Sequence, residues 1–452
     1  MLLVSATTKH KLWFSLLLLT MIVSASAQEN SPYSRYGLGD IVPNQSIENR
    51  GMGGISAGYI DYDKRFDTKQ GYLKPQSVNF LNPASYSKLR ITSFNLGFEV
   101  DSKTLRSPDA KKYNASSAII SYLQLGIPLN RKAQLGLNLG LRPLTRVNYK
   151  IQTSERHAYP DPDLPADSIN NLFEGSGGSY EVFAGLGKAF KNLSIGVNVG
   201  YFFGTKNYST KKAIVNDTVL FYKSNYETKS SFGGFLINAG IQYQIDLDKK
   251  TRLILGAYGN LRQTFNGHQD IIRETFSYDA TGATTRIDSV DVKNNIQGKI
   301  EYPSNIGIGF TLDRQDRWMI GADFSKTSWT AYSFFGTKDL VRDSWKFSIG
   351  GQFIPDAYDP KNYWSHVIFR AGFNFGPDYI KADGHDLKQF GISAGAGFPI
   401  RKSAYTNQAT FVNLGLEYGK RGNNSNLLQE NLFRVSLGFT LSDLWFLKKK
   451  YN

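Results

Sequence analysis

The chain has 452 residues, a formal net charge of +15 and no cysteine. The missing cysteine excludes disulfides and thiolate metal centres, so the fold must be held by backbone pairing and packing. The basic residues are scattered rather than gathered on one stretch, which argues against the basic patch of a nucleic-acid binder; no nucleic-acid partner is expected.

Lys9, His10 and Lys11 precede an apolar block over 12–23 that ends in Ala25-Ser26-Ala27. This is the grammar of a secretory signal peptide over residues 1–27, with Gln28 as the expected mature start. The block is too short for a comfortable transmembrane helix. Once Lys9 and Lys11 leave with the signal the charge falls to +13, a balance suited to anionic outer-membrane lipid and lipopolysaccharide or to a charged lumen.

Residues 28–90 do not alternate. Ser31-Pro32-Tyr33-Ser34-Arg35-Tyr36-Gly37-Leu38-Gly39-Asp40 and Gly51-Met52-Gly53-Gly54 carry too many turn formers for regular strands. Ile41, Val42, Ile55, Val78, Phe80 and Leu81 make the same stretch too apolar for a disordered tail. The expectation is a compact segment folded inside something larger.

From residue 91 the pattern changes to strand-like alternation, clearest in Leu135-Gly136-Leu137-Asn138-Leu139-Gly140-Leu141-Arg142. About 14 such runs follow, each near the ten residues a tilted membrane strand needs. They cover approximately 91–101, 114–127, 131–149, 178–190, 193–208, 226–245, 251–265, 297–313, 316–333, 344–354, 364–377, 386–399, 408–420 and 428–441. Short connections at 128–130, 191–192, 246–250 and 314–316 alternate with long polar ones at 151–177, 209–225 and 266–296. Export, even strand number and this rhythm predict an all-β fold: a transmembrane antiparallel β-barrel of about 14 strands, multi-pass in the bacterial outer membrane, with short turns in the periplasm. Residues 91–452 would form the barrel and 28–90 an N-terminal hatch or plug.

Alternation sends Leu135, Leu137, Leu139 and Leu141 to lipid and the opposite face to the lumen. The candidate luminal polar residues are Asn138, Arg142, Arg370, Asn374, Glu417 and Arg434, with Glu417 and Arg434 on adjacent strands and able to pair. Luminal charges of a barrel commonly satisfy one another; ligand binding is the alternative.

Gly51-Met52-Gly53-Gly54-Ile55-Ser56-Ala57-Gly58, followed by Asn79-Phe80-Leu81-Asn82-Pro83-Ala84, resembles the long-chain fatty-acid transporter (FadL-like) family of outer-membrane barrels. Gly140-Leu141-Arg142-Pro143, Glu174-Gly175-Ser176-Gly177-Gly178 and the ending Leu444-Trp445-Phe446 look familial too. The resemblance implies a 14-stranded barrel plugged by an N-terminal hatch whose motif here would be Gly51, Gly53, Gly54, Asn82, Pro83 and Ala84. It also implies passage of hydrophobic small molecules in some members and an accessory role in secretion or assembly complexes, with protein partners, in others. The segment Ser31 to Asp40 departs from the fatty-acid transporters themselves, so family membership is a firmer expectation than fatty-acid transport.

Catalysis is not expected. Gly54-Ile55-Ser56-Ala57-Gly58 and Gly391-Ile392-Ser393-Ala394-Gly395 match a nucleophile-elbow pattern, but one lies in the hatch and the other in an alternating strand. The five histidines (His10, His157, His268, His366, His385) are dispersed, and no metal, nucleotide or other cofactor motif is present. The leading expectation is passage of a hydrophobic small-molecule ligand, with sideways exit at a bent strand where Gly136, Gly140, Gly185 and Gly187 are candidates and Arg142 or Arg370 could meet an acidic headgroup. The alternative is a non-transporting accessory or structural subunit of an outer-membrane secretion or assembly complex, and the same glycines would then only let the wall pack against the plug.

Overall fold

The computed structural model describes residues 31–61, 75–108, 110–157, 167–215, 221–359, 361–381, 387–400, 408–423, 426, 428–443 and 445. The expected signal peptide and its cleavage point, His385, Leu444 and Phe446 lie outside them.

The strands in chain order are β1 (Asp40–Ile41), β2 (Thr92–Ser107), β3 (Ala110–Asn130), β4 (Leu135–His157), β5 (Asp167–Phe190), β6 (Leu193–Val215), β7 (Lys223–Asp246), β8 (Thr251–Asn260), β9 (Gln263–Tyr278), β10 (Thr284–Tyr302), β11 (Asn305–Arg314), β12 (Trp318–Thr327), β13 (Ser333–Phe334), β14 (Ser344–Phe353), β15 (Ile368–Pro377), β16 (Lys388–Ile400), β17 (Ala409–Arg421) and β18 (Gln429–Asp443). They form one antiparallel sheet, closed by β18 on β2 from Asp443↔Thr92 to Gln429↔Arg106. β8 runs on into β9 and β10 into β11, so each pair is one wall strand with a break; β1 and β13 are short additions. The wall therefore has 14 strands.

The breaks have a chemical cause. Pro303 has no N–H, so the ladder stops at Tyr302↔Gln263 and resumes at Asn305↔Asn260. Opposite, the Gln263 side chain stands in for backbone: its Oε1 accepts from Ile237 N at 2.9 Å and its Nε2 donates to Ile237 O at 3.2 Å.

Outward side chains supply two aromatic rows. Tyr180, Tyr201, Phe203 and Phe235 form part of one, Phe190, Tyr243, Phe353 and Phe369 part of the other, and all are exposed. Tyr180 and Phe190 lie ten residues apart on β5. At about 3.3 Å per residue and about 40° of tilt that is about 25 Å, the height of an outer-membrane apolar band. The row with Phe190 lies beside the short turns, which marks the periplasmic side.

The long polar connections expected at 151–177, 209–225 and 266–296 are mostly strand. β4 to β7 run to 23 or 24 residues, and 266–296 is the hairpin of β9 and β10. Above the membrane both faces of these strands meet water, so no apolar alternation is required there and the sequence carries none.

Residues 31–61 and 75–91 lie inside the barrel, where Met52, Ile55, Ala57, Ala84 and Tyr86 are fully buried. The extracellular half of the lumen is filled by an aromatic core: Phe202, Phe232, Phe265, Trp329, Tyr332 and Tyr379 pack around Tyr33 and Leu38.

Candidate functional site: the luminal segment and its charged anchors

The luminal segment is built from short local structures. A 3-10 turn, Pro32–Arg35, is followed by Gly37 and Gly39 at φ +60° and +107°, which turn the chain into β1. Ser46 caps helix α1 (Ile47–Arg50) by accepting from Asn49 N. A second 3-10 turn, Pro83–Lys88, is capped by Asn82, whose Oδ1 accepts from Ala84 N at 3.2 Å.

Glycine lets this segment touch the wall backbone to backbone. Gly53 has φ +71°, and a Cβ there would lie 2.8 Å from the carbonyl oxygens of both Ile349 and Phe373. On the wall side, a Cβ at Gly350 would overlap Met52 O, and one at Gly372 would overlap Gly53 N. The Asn82-Pro83-Ala84 turn is received in the same way: Gly240 faces the Asn82 amide and Gly196 faces the Pro83 carbonyl. The Asn82 Nδ2 donates to Ala57 O at 2.7 Å, tying the two halves of the segment together. Gly136, Gly185 and Gly187 face Tyr86 or Pro83, and Gly140 faces the Phe183 ring, so these four accommodate buried groups.

The bend in the wall lies elsewhere. β4 pairs with β3 only from Leu135 to Leu141, then turns inward at Pro143-Leu144, where its register against β5 shifts by a bulge. The luminal segment takes the vacated place beside β4. Asp40 and Ile41 pair with Arg146 and Thr145, Val42 N donates to Leu144 O at 2.9 Å, and Ser31 N donates to Asn148 O at 3.0 Å.

Ion pairs fix the segment to one arc of the wall, the neighbouring strands β17, β18 and β2. Arg50 donates to Glu99 at 2.5 Å and Glu417 at 2.8 Å, and to Ser436 Oγ at 3.1 Å. Arg434 grips Asp101 through two hydrogen bonds of 2.5 and 2.7 Å, and approaches Glu417 at 3.6 Å. Arg146 reaches Glu99 and Asp101 at 3.4 and 3.5 Å, closing a cluster of three cations and three carboxylates. Asp40 sits between Lys103 and Arg421, 2.9 Å from each. Burial by itself would raise the Asp40 carboxyl, but Lys103 and Arg421 hold it well below the usual carboxylate range. Asp323 of β12 accepts from the Ser56 and Ala57 amides at 2.6 and 2.8 Å, and Glu48 accepts from Asn413 and Thr440 at 2.8 and 3.0 Å.

Of the luminal candidates, Asn138, Arg142, Arg370 and Arg434 are buried and inward; Glu417 and Asn374 are half-buried. Arg142 is engaged by Glu181 at 2.8 Å and stacks over Phe80, and Arg370 donates to Asn413 at 2.9 Å. Asn138 donates to Gln124 at 3.1 Å. Asn374 borders a cavity of about 400 Å³ left between segment and wall, with Asp40, Lys103, Arg146, Lys346 and Glu417.

Residue-by-residue reading missed Arg50, Asp40, Glu99, Asp101, Asp323 and Arg421. Glu99 and Asp101 carried a signal: they share the parity of Ser93, Asn95 and Gly97 on β2, opposite Phe94, Leu96, Phe98 and Val100. Among the described residues no group of three metal-ligating side chains forms. Ser56 and Ser393 have backbone and Asn49 partners here: Asn49 Nδ2 donates to Ser56 Oγ, and Gly53 N donates to Ser393 Oγ.

A family model described as BamG matches residues 8–452, nearly the whole chain. The chain belongs to the BamG family. No curated protein matches it. Among solved structures, this BamG-family barrel is similar to the toluene transporter TodX of P. putida, at 13% identity and a TM-score of 0.52, over 90% of this chain and 100% of that one. A Pseudomonas aeruginosa FadL homologue is similar at 14% identity and a TM-score of 0.50, over 90% of this chain and 98% of that one. At this identity the likeness is one of fold: the BamG-family chain and these proteins share the antiparallel β-barrel.

Proposed function

We propose that this protein is a sealed outer-membrane barrel that works as an accessory or structural subunit of a secretion or assembly complex. In this reading the chain is exported and cleaved after Ala27, residues 28–90 form a fixed hatch, and the barrel sits among outer-membrane lipid and lipopolysaccharide. The supporting observation is the clamping of Arg50 between Glu99 and Glu417 and of Asp40 between Lys103 and Arg421. A hatch that swung aside for cargo would pull Arg50 and Asp40 out of these clamps, and taking one member out of a buried ion pair costs about 3–5 kcal/mol. The remaining cavity mixes charged groups with apolar and aromatic ones such as Leu81, Trp329, Trp345 and Phe390, so its lining favours neither reading over the other.

The second reading is passage of a hydrophobic small molecule. It is favoured by the fold shared with a toluene transporter and by the inward bend of β4, where the luminal segment and not β3 lies beside the strand. Arg142 and Arg370 do not favour an acidic cargo, since each is already engaged inside the protein. Extraction of the native protein in mild detergent, with uptake of labelled toluene and fatty acids measured in parallel against a deletion strain, separates the two. Stoichiometric outer-membrane protein partners without an uptake difference are expected; an uptake difference without partners would overturn the accessory reading.

A further inference from the structure

We propose that the periplasmic mouth of the barrel carries a cationic crescent that docks an acidic segment of a periplasmic partner protein. The proposal rests on the accessory reading and names the chemistry of the partner. Four short turns in succession along the wall form the crescent: 130–134 between β3 and β4, 190–193 between β5 and β6, 246–252 between β7 and β8, and 313–317 between β11 and β12. Together they hold eight Lys or Arg against four Asp, with no Glu.

The four carboxylates are all engaged within the rim. Asp246 accepts from Gln244 Nε2 at 2.9 Å, and Asp248 from the Lys250 and Thr251 amides at 2.6 and 2.7 Å. Asp313 accepts from Arg252 at 2.7 Å, and Asp316 from the Tyr358 hydroxyl at 2.7 Å. Lys132, Lys191, Lys249, Lys250, Arg314 and Arg317 are exposed, and none of the six forms an ion pair with a described residue. Like charges held side by side in this way repel one another and attract an anionic partner.

Two more cations come from the luminal segment, inside the ring of strands. Lys88 and Arg90 are each 6% exposed. Lys88 Nζ donates only to a neutral group, Gln134 Oε1 at 3.4 Å, and Arg90 donates to Arg131 O at 3.3 Å. Burial, with Arg90 and Arg252 nearby, pushes the Lys88 ammonium down to about 8. Bilayer headgroups surround the outside of the wall and do not meet these two; an anion reaches them along the barrel axis from the periplasm. The charge excess also stops at the next turn, 354–367 between β14 and β15, which holds Asp356 and Asp359 against Lys361. A belt serving lipid would not stop there. A carboxylate-rich protein segment meets both demands, lying on the exposed turn tips and reaching Lys88 in the mouth.

The test uses the full-length protein at native level in its own outer membrane, with p-benzoylphenylalanine placed singly at Ala133, Asn192 or Gln315, neutral positions of the crescent. Heat-modifiable mobility reports that each variant folds. The same periplasm-facing protein is expected in the adducts from all three positions, joined through a segment in which Asp and Glu outnumber Lys and Arg. No adduct, lipid adducts alone, adducts with no protein in common, or joining through a segment without that excess would overturn it. As a second measurement, Lys249→Glu with Lys250→Glu, and Arg314→Glu with Arg317→Glu, should each lower the adduct yield at least severalfold. Photolysis of isolated membranes at about 0.5 M salt, where the screening length is about 4 Å, should do the same. Lys293→Glu, on the extracellular hairpin, should leave the yield unchanged, and Lys substitutions at the contacted acidic residues should restore it in the reversed variants; a yield indifferent to charge reversal would count against the crescent. Stoichiometric partners that persist through charge reversal would remove the crescent and leave the accessory role. Cargo uptake without any partner would remove both.

Discussion

At Gly53 a single hydrogen is the only side chain that fits. A left-handed backbone costs a non-glycine residue about 1–2 kcal/mol, and overlap with two wall carbonyls adds about 1–3 kcal/mol more. Gly53→Ala should therefore lower the unfolding midpoint of the detergent-solubilised barrel well beyond Gly282→Ala, where φ is also positive but no atom lies within 4 Å of the added Cβ. Arg50→Met removes one cation from a buried cluster of three cations and three carboxylates and should destabilise by about 3–5 kcal/mol, read as thermal stability and as protease access to the luminal segment. Asp40 gives a pH dependence. Its carboxyl is depressed in the docked segment, so its contribution is complete above its free value of 3.8 and is lost as pH falls below that. The difference in protease access between Asp40→Asn and the wild type should be constant from pH 8 to 5 and shrink below about 4. The N-P-A turn and the glycine run were visible as motifs in the sequence, but the wall groups that receive them were not, because Gly350, Gly372 and Gly240 lie hundreds of residues away or on other strands and meet the segment only through barrel closure.

The strands themselves were legible wherever one face meets lipid. Leu135 to Leu141 alternates because period-two geometry must serve two solvents, and Leu139 and Leu141 are exposed while Asn138 is buried. Leu139→Arg should impair assembly, at about 2–4 kcal/mol near the midplane, measured as the folded fraction in the outer membrane. Asn138 is a poor control for it. It lies fully buried beside Gln124, so Asn138→Arg would also overpack. Asn374, half-buried at the cavity, is the better inward site, and Asn374→Arg should assemble near the wild-type level. Strand length above the membrane was not legible, since residues wet on both faces lack an alternating signature. Nor was the place of the bend: Pro143 was in view, but the candidate glycines suggested an opening where they in fact receive Tyr86, Pro83 and the Phe183 ring.

For the whole molecule, the clamped segment predicts a wall with no steady ionic conductance in planar bilayers. Asn82→Ala with Pro83→Ala removes a cap and the donor to Ala57, and should raise leak of large antibiotics while the barrel still inserts; unchanged permeability would mean that the ion pairs hold the segment without the turn. The sequence by itself determined the all-β class, the 14-strand count and the lipid face, because each follows from a local pattern imposed by solvent, the alternation between hydrocarbon and lumen. Only the tertiary structure decided which charges meet. Arg50 finds Glu99 and Glu417, and Asp40 finds Lys103 and Arg421, across separations of tens to hundreds of residues. A buried ion pair is chosen by the register of strands around a closed ring and by the path of the chain through its lumen, and neither leaves a mark on the residues nearby in sequence.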